Sequence, residues 1–281
     1  MILVTGATGT VGREVVRRLP ADRAVRIMAR DPSRISTAPP TAEVVRGDFT
    51  DPTSLTGALR AVSTVFLVTN QLGDDDARFL HAARTAGVRH VVKLSAAAVT
   101  DSGAQDLITR WQRRNEELLR GSAMQWTLLR PRSFMSNALS WAASIRSDGV
   151  VRALGASSPN ACVDPRDIAD VAVRALTEEG HAGRVHTLTG PQAITAVQQT
   201  AVLAELLGRP LRCEEWDPQQ ARTALHERYP PPVAQALLDS AHRQRQGAKA
   251  QVEAGVPALL GRPAGSFCTW ARDHLGAFTG A

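Results

Sequence analysis

Short apolar segments alternate with stretches of helical periodicity through most of the chain. Residues 1–4 form an apolar run of β type, and Val11, Val15 and Leu19 then recur at helical intervals. Similar runs return in the segments 24–29, 43–46, 65–68, 91–94 and 185–188. This alternation predicts an α/β fold with a doubly wound parallel sheet.

Longer amphipathic patterns become frequent toward the C-terminus. The apolar stripe of one predicted helix consists of Leu107, Ile108, Trp111, Leu118 and Leu119. The segment 198–207 predicts another helix, which ends at Gly208 with Pro210 beyond it, and the segment 233–246 predicts a third. These patterns predict a smaller, mostly helical C-terminal part.

Three glycines stand at spacing three between the first predicted strand and the first predicted helix. Gly6, Gly9 and Gly12 lie where a tight turn needs positive φ, where backbone must approach a diphosphate, and where the helix packs on the strand. The N-terminus of the helix presents free N–H groups to an anion. This context predicts a Rossmann fold that binds a dinucleotide.

Two arginines follow the second predicted strand and indicate which dinucleotide is bound. An acidic residue at this strand end would bind a ribose 2′-hydroxyl, whereas Arg30 and Arg34 suit a 2′-phosphate. Asp31 complicates the assignment, and the alternative is that both arginines are solvated loop residues. We predict NADPH as the cofactor.

At this point the chain resembles the atypical short-chain dehydrogenase/reductases, in particular the NmrA-like NAD(P)H-binding group. The motifs that carry the resemblance are TGATGTVG (5–12), MARDPSR (28–34), GDF (47–49), LLRPRSFMSN (128–137), VDPRDIADV (163–171), LTGP (188–191) and LLGRP (206–210). The resemblance implies a Rossmann domain of residues 1–133 plus about 161–190. A substrate-binding part of about 134–160 plus 191–281 is implied to cover the nicotinamide.

The resemblance also implies where the cofactor lies. The diphosphate is expected on residues 8–11, the adenine near Asp48 and Phe49, and the nicotinamide near Thr69, Ser95 and the turn 131–134. Together with the glycines and arginines, the predicted cofactor residues are Gly6, Thr8, Gly9, Thr10, Val11, Gly12, Arg30, Arg34, Asp48, Phe49, Thr69, Asn70, Ser95, Pro131 and Phe134.

The catalytic residues typical of this superfamily are largely absent. Most members use a tyrosine acid with a lysine four residues on, yet Tyr229, the one tyrosine, is followed by prolines rather than by such a lysine. Alignment on Glu117 places Thr109 at the tyrosine position and Arg113 at the lysine position. Threonine is too weak an acid and arginine holds its proton too firmly to replace that pair. Ser95 remains, either as a donor to a substrate oxygen or as a simple strand end.

Two functions stay open. The first is an NADPH-dependent reductase of a carbonyl or quinone on an aromatic, polyketide-like small molecule from antibiotic biosynthesis, with the substrate assisting its own protonation. The second is a non-catalytic dinucleotide sensor that acts through a protein partner. The apolar residues expected near the site favour the enzyme, and these are Trp126, Phe134, Met135, Trp141 and Trp216.

Composition excludes other classes of protein. The 281 residues are 43% hydrophobic, which suffices for a full core, and the net charge is +6. The basic residues are dispersed, so we expect no nucleic-acid partner. We find no signal peptide pattern and no stretch approaching the roughly 20 apolar residues of a membrane span. We therefore expect a cytoplasmic protein without a membrane partner.

Neither the cysteines nor the aspartates predict a metal site. Cys162, Cys213 and Cys268 are far apart in the sequence. The three aspartates of the segment 164–170, with Pro165 among them, are typical of a helix start. We predict no metal.

Lysine is rare in this chain. Only Lys93 and Lys249 are lysines among the 33 basic residues, a bias typical of a GC-rich genome. We expect Lys93, inside a predicted strand, to be a paired structural charge, because lysine is almost never buried unpaired. The alternative is a catalytic role.

Overall fold

The computed structural model describes residues 1–35, 38–69 and 72–279. The strands are β1 (Ile2–Val4), β2 (Val25–Ala29), β3 (Glu43–Arg46), β4 (Thr64–Leu67), β5 (His90–Leu94), β6 (Gln125–Pro131), β7 (Val150–Ala153), β8 (Arg184–Leu188) and β9 (Arg212–Glu215). The α-helices are α1 (Thr10–Arg18), α2 (Pro52–Ala58), α3 (Asp75–Thr85), α4 (Leu107–Arg120), α5 (Ala142–Asp148), α6 (Pro165–Thr177), α7 (Ala196–Leu207), α8 (Pro218–Arg228), α9 (Pro231–Arg245), α10 (Gly255–Leu260), α11 (Phe267–Asp273) and α12 (Gly276–Thr279).

The main sheet has the strand order expected of a doubly wound fold. Within the described ranges, its seven strands follow the order β3-β2-β1-β4-β5-β6-β8. The pairs β1–β2, β1–β4, β2–β3, β4–β5 and β5–β6 are parallel. The order reverses between β1 and β4, and ligands of such sheets bind at the carboxyl ends of the strands beside this reversal. The predicted fold class is confirmed.

The chain forms two compact units, as far as it is described. The first comprises Met1–Val99, Trp111–Pro131 and Pro165–Thr187, and the second comprises Thr100–Arg110, Arg132–Asp164 and Leu188–Ala281. The domain boundaries predicted from the sequence stay a prediction.

The first unit is built around the buried faces of the sheet. Fully buried side chains from its strands, among them Leu3, Val65 and Leu128, pack with Phe79 of α3 and Leu119 of α4. These strands are covered on both faces, which explains their nearly continuous apolar sequences.

The second unit has a separate core and a small sheet. Its core includes Ile145, Leu203, Phe267 and Trp270. Strands β7 and β9 pair in parallel, which the sequence pattern did not predict. Helix α9 begins two residues before the predicted segment, because Pro231 and Pro232 occupy its first turn, where a missing N–H costs no hydrogen bond.

Two other expectations concern single elements. Helix α6 begins at Pro165, directly after Asp164, as the aspartate spacing predicted. In the described part of the chain, no helix combines the length and the apolar character needed to cross a bilayer.

Candidate active site

The loop between β1 and α1 has the geometry that a dinucleotide diphosphate requires. Gly6 has a φ of 65°, in the left-handed region that favours glycine. A Cβ at Gly12 would lie 2.2 Å from the carbonyl oxygen of Gly6, so this close approach needs glycine. Gly9 is the N-cap of α1, and the first turn of α1 contains no acidic residue. The N–H groups of this turn and the helix dipole therefore fit an anion.

Exposure divides the predicted residues of this loop into two groups. Thr8, Gly9 and Thr10 are exposed, whereas Val11 and Gly12 are buried. Contacts from the exposed group can involve side chains, but Val11 and Gly12 have only their backbone N–H groups to offer.

Thr5 supports the loop, although it was not among the predicted cofactor residues. Its buried Oγ1 accepts a hydrogen bond from the Val68 N–H at 2.8 Å and lies 3.1 Å from the Val68 carbonyl oxygen. This side chain fastens the start of the glycine loop to the end of β4. A polar residue between an apolar strand and Gly6 was the available signal.

Asp31, the acidic residue after β2, is hydrogen-bonded to a neighbouring serine. The Asp31 carboxylate accepts hydrogen bonds from Ser33 Oγ at 2.6 Å and Ser33 N at 3.1 Å, and these bonds lower the pKa of Asp31. Asp31 is thus committed to the 3-10 turn Pro32–Arg34. Arg30 and Arg34 are exposed, so both guanidinium groups are accessible to an anion.

Asp48 and Phe49, the predicted adenine residues, follow β3. The Asp48 carboxylate accepts from Thr50 N at 2.9 Å and Thr50 Oγ1 at 2.8 Å. These hydrogen bonds, with the charge of Arg30 nearby, hold the pKa of Asp48 below its ordinary value. Phe49 meets Phe79 edge to face, with ring centroids 5.7 Å apart. The two residues therefore present an ionised carboxylate and a positioned aromatic ring.

A buried polar cluster lies beyond β4. Asp76 is fully buried and accepts from Thr69 Oγ1 at 2.5 Å and Asn115 Nδ2 at 2.9 Å, while its other oxygen pairs with Lys93 Nζ. The prediction of a paired charge at Lys93 is confirmed. Thr69 contributes to this cluster, whereas Asn70 lies outside the described residues.

Ser95, at the end of β5, is also engaged. Its buried Oγ donates to Glu116 Oε1 at 2.6 Å, and the same carboxylate accepts from Arg130 Nε at 2.8 Å. Donation from Ser95 to a substrate oxygen therefore requires exchange of the bond to Glu116. Sequence alignment singled out Glu117, but Glu117 is exposed and Glu116 is the buried carboxylate.

Thr109 and Arg113, the residues at the tyrosine and lysine positions, each bind a neighbouring loop. Arg113 Nε donates to the Val99 carbonyl oxygen at 3.1 Å. Thr109 is buried, and its Oγ1 and N–H donate to the carboxylate of Asp106 at 2.7 and 3.0 Å. The proton of the Thr109 hydroxyl is thus directed at a carboxylate, an arrangement that holds the start of α4.

Asp106 connects distant parts of the second unit. Burial raises the pKa of Asp106, but the hydrogen bonds from Thr109 and the Arg243 guanidinium outweigh it, so the net shift is downward. Arg243 Nη2 donates to Asp106 at 2.7 Å, and Arg243 Nε lies 3.4 Å from Asp101. This cluster could not be predicted from local sequence patterns, because Asp106 and Arg243 are 137 positions apart.

A cleft of about 320 Å³ lies within the second unit. Its apolar lining includes Phe134, Met135, Trp141, Trp216, Leu225 and Leu237. Its polar lining includes Ser133, Arg152, Asn160, Gln199, Gln244 and Lys249. Four of the predicted apolar residues therefore line one cleft. Trp126 is not part of this lining; it lies on β6 in the first unit, with the Arg120 guanidinium 5.1 Å from the centre of its ring.

The cleft offers little acid chemistry. Within the described residues, its lining contains no tyrosine or histidine. Cys162 lines it, but burial raises the pKa of this thiol to about 12. Tyr229 caps the end of α8 with Arg228 5.5 Å from its ring, and it is not part of the lining. Because the Cys162 thiol stays neutral and no tyrosine is in the described lining, the cleft offers no proton donor of the kind that is typical of the superfamily.

Comparison with known proteins adds a family and several relatives. The family described as NAD(P)H-binding matches residues 6–179. The (4-alkanoyl-5-oxo-2,5-dihydrofuran-3-yl)methyl phosphate reductase of Streptomyces griseus is 57% identical over 279 residues, which cover 99% of each chain. The NAD(P)H azoreductase of Xenophilus azovorans is 36% identical over the full length of both.

A solved structure is similar over nearly the whole chain. The NADPH-dependent quinone oxidoreductase of Escherichia coli, crystallised with NADPH, superposes with a TM-score of 0.84 at 26% identity. The alignment covers 98% of this chain and 99% of that one.

Proposed function

The chain belongs to the NAD(P)H-binding family of atypical short-chain dehydrogenase/reductases and is an oxidoreductase, and we propose that it reduces a conjugated carbonyl compound bearing a phosphate ester. The observation that carries the proposal is the 57% identity to the dihydrofuranyl-methyl phosphate reductase along 99% of both chains. Of the two functions left open by the sequence, the enzyme is the one that the named relatives share.

The cofactor prediction is confirmed, since the family binds NAD(P)H and a solved relative holds NADPH. The residues present fit the group: Gly6 and Gly12 allow the close backbone approach, and the first turn of α1 presents free N–H groups. When bound, the reduced nicotinamide supplies a hydride. We further propose that Arg30 and Arg34 bind the 2′-phosphate, because both are exposed and Asp31 is hydrogen-bonded to Ser33 in its own turn.

The proposed acceptor needs little help with the charge that reduction creates. In a 4-alkanoyl-5-oxo-2,5-dihydrofuran, the ring double bond is conjugated with a ketone and a lactone carbonyl. Addition of hydride to the ring carbon that bears the phosphomethyl group moves the π electrons onto the neighbouring carbon and the two carbonyl oxygens. Water then protonates the neighbouring carbon, which bears the alkanoyl group. Such delocalisation explains how a cleft lined by neither tyrosine nor histidine in its described part serves the reaction.

The protein's part in this proposal is orientation and exclusion of water. The tryptophans and leucines of the cleft suit the alkanoyl chain. Ser95, Thr109 and Arg113, the predicted catalytic residues, act here as positioning residues, because each donates to a carboxylate or a carbonyl of the protein. Holding the acceptor in a reactive orientation can account for much of the rate acceleration.

The reaction can be tested with NADPH deuterated at the transferable position. We expect the loss of NADPH absorbance to accompany formation of a saturated ring, with deuterium on the ring carbon that bears the phosphomethyl group. Deuterium on the side-chain carbinol carbon instead would show ketone reduction and contradict the double-bond assignment. No turnover of the compound would contradict the proposed function.

An aromatic carbonyl or quinone is the second candidate acceptor. The full-length structural similarity to a quinone oxidoreductase favours it, and Trp141 and Trp216 in the cleft suit a planar ring. The same assay with hydroxyquinones separates the candidates: a higher kcat/KM for quinones than for the phosphate ester would favour the sequence-based prediction.

A further inference from the structure

Lys249 holds an unusual position among the basic residues of the second unit. Its carbonyl oxygen accepts a hydrogen bond from the Ala161 N–H at 2.9 Å, which places it beside the segment of Asn160 and Cys162 in the cleft wall. Its side chain is half-buried, and in the described part of the chain its ammonium group has no hydrogen-bond or salt-bridge partner. A desolvated cation without a counter-ion is unfavourable unless a ligand supplies the charge.

The positive charges around Lys249 further favour binding of an anion there. Burial, followed by the neighbouring Arg243 and Arg132, lowers the pKa of Lys249 to about 8, and Asp106 offsets part of the shift. Asp106 is already bound to Arg243, at 2.7 Å. Arg132 is itself desolvated, and its Nε is buried without a hydrogen-bond partner in the described chain. Asp106, the carboxylate that offsets the pKa shift of Lys249, is thus shared with another cation.

Other groups of the cleft are consistent with a polar ligand there. Asn160 Oδ1 is buried and has no hydrogen-bond partner among the described residues. Arg152, the other cation of the lining, is paired with Glu214 at 3.3 Å and Asp148 at 3.4 Å. Of the two cations in this lining, Lys249 is therefore the one without a carboxylate partner among the described residues.

We propose that Lys249 is the anchor for the phosphate group of the substrate, which the cleft of the second unit binds together with the alkanoyl chain. This inference rests on the proposed function, which supplies the phosphate ester. A phosphate dianion matches an unpartnered ammonium beside two arginines, and the apolar side chains of the same lining suit an alkyl chain. A neutral quinone would leave the ammonium without a counter-ion.

The anchor has a defined pH range. A phosphate monoester carries its second negative charge above a pKa of about 6. Lys249 keeps its positive charge below a pKa of about 8, with Arg243, Arg132 and Asp106 as the charged groups facing it. Preference for the phosphate ester should therefore be greatest between these values. In Lys249→Arg it should persist above pH 8, because arginine stays charged.

Kinetics with a phosphate ester and its parent alcohol test the anchor directly. In the unaltered enzyme we expect kcat/KM for the ester to exceed that for the alcohol by roughly 10- to 100-fold, the usual effect of a hydrogen bond to a charged group. In Lys249→Met this preference should fall to about threefold or less, through a higher KM for the ester. Arg228→Met is the matched control, because it removes one exposed positive charge of the same unit and should keep the preference.

A binding measurement makes the inference independent of turnover. The chain has two lysines, and Lys93 is fully buried and paired, so reductive methylation with ¹³C-formaldehyde labels Lys249 and the N-terminus. The signal missing from Lys249→Arg identifies Lys249 in NMR spectra. With NADP⁺ saturating the cofactor site, added inorganic phosphate should shift this signal and raise its titration midpoint.

The outcomes separate the two hypotheses. A Lys249 signal that inorganic phosphate leaves unchanged would overturn the anchor, even if the ester is reduced. An equal loss of kcat/KM for ester and alcohol in Lys249→Met would also overturn it, because the amine would then act on the reaction rather than on the phosphate. If the ester is not reduced but phosphate moves the signal, the anchor stands and the proposed reaction falls.

Discussion

Lys93 and Lys249, the two lysines of the chain, occupy contrasting sites in its two units. Lys93 is fully buried on β5, where it pairs with Asp76 and lies 5.9 Å from the centre of the Trp111 ring. Lys249 lines a cleft and has no partner within the described residues. Asp76 also accepts hydrogen bonds from Thr69 and Asn115, whereas Asp106, the carboxylate whose charge acts on Lys249, is bound to Arg243.

The contrast shows that surroundings, rather than residue type, decide what a buried charge does. A buried charge that is paired with a counter-charge, as Lys93 is with Asp76, has no interaction left to offer a ligand anion. A charge without a partner destabilises the free protein and offers its interaction energy to a ligand anion. Lysine suits both sites because its ammonium is compact and its pKa responds to burial.

Removing one partner of the Lys93 pair should produce the largest effect. Lys93→Met or Asp76→Asn leaves an uncompensated buried group, and we expect a loss of about 3–5 kcal/mol in the free energy of unfolding. Urea denaturation measures it. The double variant should lose less than the sum of the single losses, because no unpaired charge remains. Single losses below about 1 kcal/mol would contradict the contrast.

Lys249→Met should have the opposite effect below pH 8, because it should raise the free energy of unfolding. The pKa of Lys249 is about 8 in the folded chain against an ordinary value of 10.5, so the unfolded state binds the proton more tightly. Stability therefore rises with pH between these values. We expect the methionine variant to be more stable by roughly 1–3 kcal/mol at pH 7, with the gain vanishing near pH 10.5. Lys249→Arg, charged throughout, is the control that should show no such gain.

Arg30 extends the comparison to an exposed cation. If Arg30 binds the 2′-phosphate, Arg30→Ala should lower kcat/KM with NADPH by roughly 10- to 100-fold and leave the value with NADH nearly unchanged. Arg23→Ala removes an exposed arginine of the same unit and should change neither value. An unaltered enzyme that uses NADH as well as NADPH would show that the phosphate assignment is wrong.

Substitution of Thr109 should have the smallest effect of the four. Thr109→Val removes the hydroxyl bond to Asp106 and should cost about 1 kcal/mol in unfolding free energy. The pH profile of kcat/KM should keep its shape, since the hydroxyl positions Asp106 and Arg243 rather than supplying a proton. Thr109→Ser should restore the stability. If the pH profile of kcat/KM loses its acidic or basic limb in the valine variant, Thr109 is instead an acid of the reaction.

Much of the first unit could be predicted from the sequence because its signals are short in range. Apolar runs and helical spacing identified the strand and helix order, and three glycines at spacing three identified the loop whose positive φ and close contact the structure contains. The family resemblance added the order of the motifs and a reduced pyridine nucleotide. The assignment of single residues to adenine or nicotinamide stays a prediction.

The charge pairs could not be predicted in this way. Composition identified two lysines, but the carboxylate that each one faces depends on elements distant in the sequence. Asp76, in the first turn of α3, pairs with Lys93 on β5, while Asp106 and Arg243 are 137 positions apart. Tertiary structure also placed Trp126 in the first unit under Arg120, and it buries Glu116 while the adjacent Glu117, on which the helix was aligned, is exposed. The sequence by itself determined the fold class and the nucleotide loop, because those depend on local periodicity and backbone freedom. Only the tertiary structure decided which charges are neutralised, because desolvation and pairing are set by neighbours that the chain brings together over long separations.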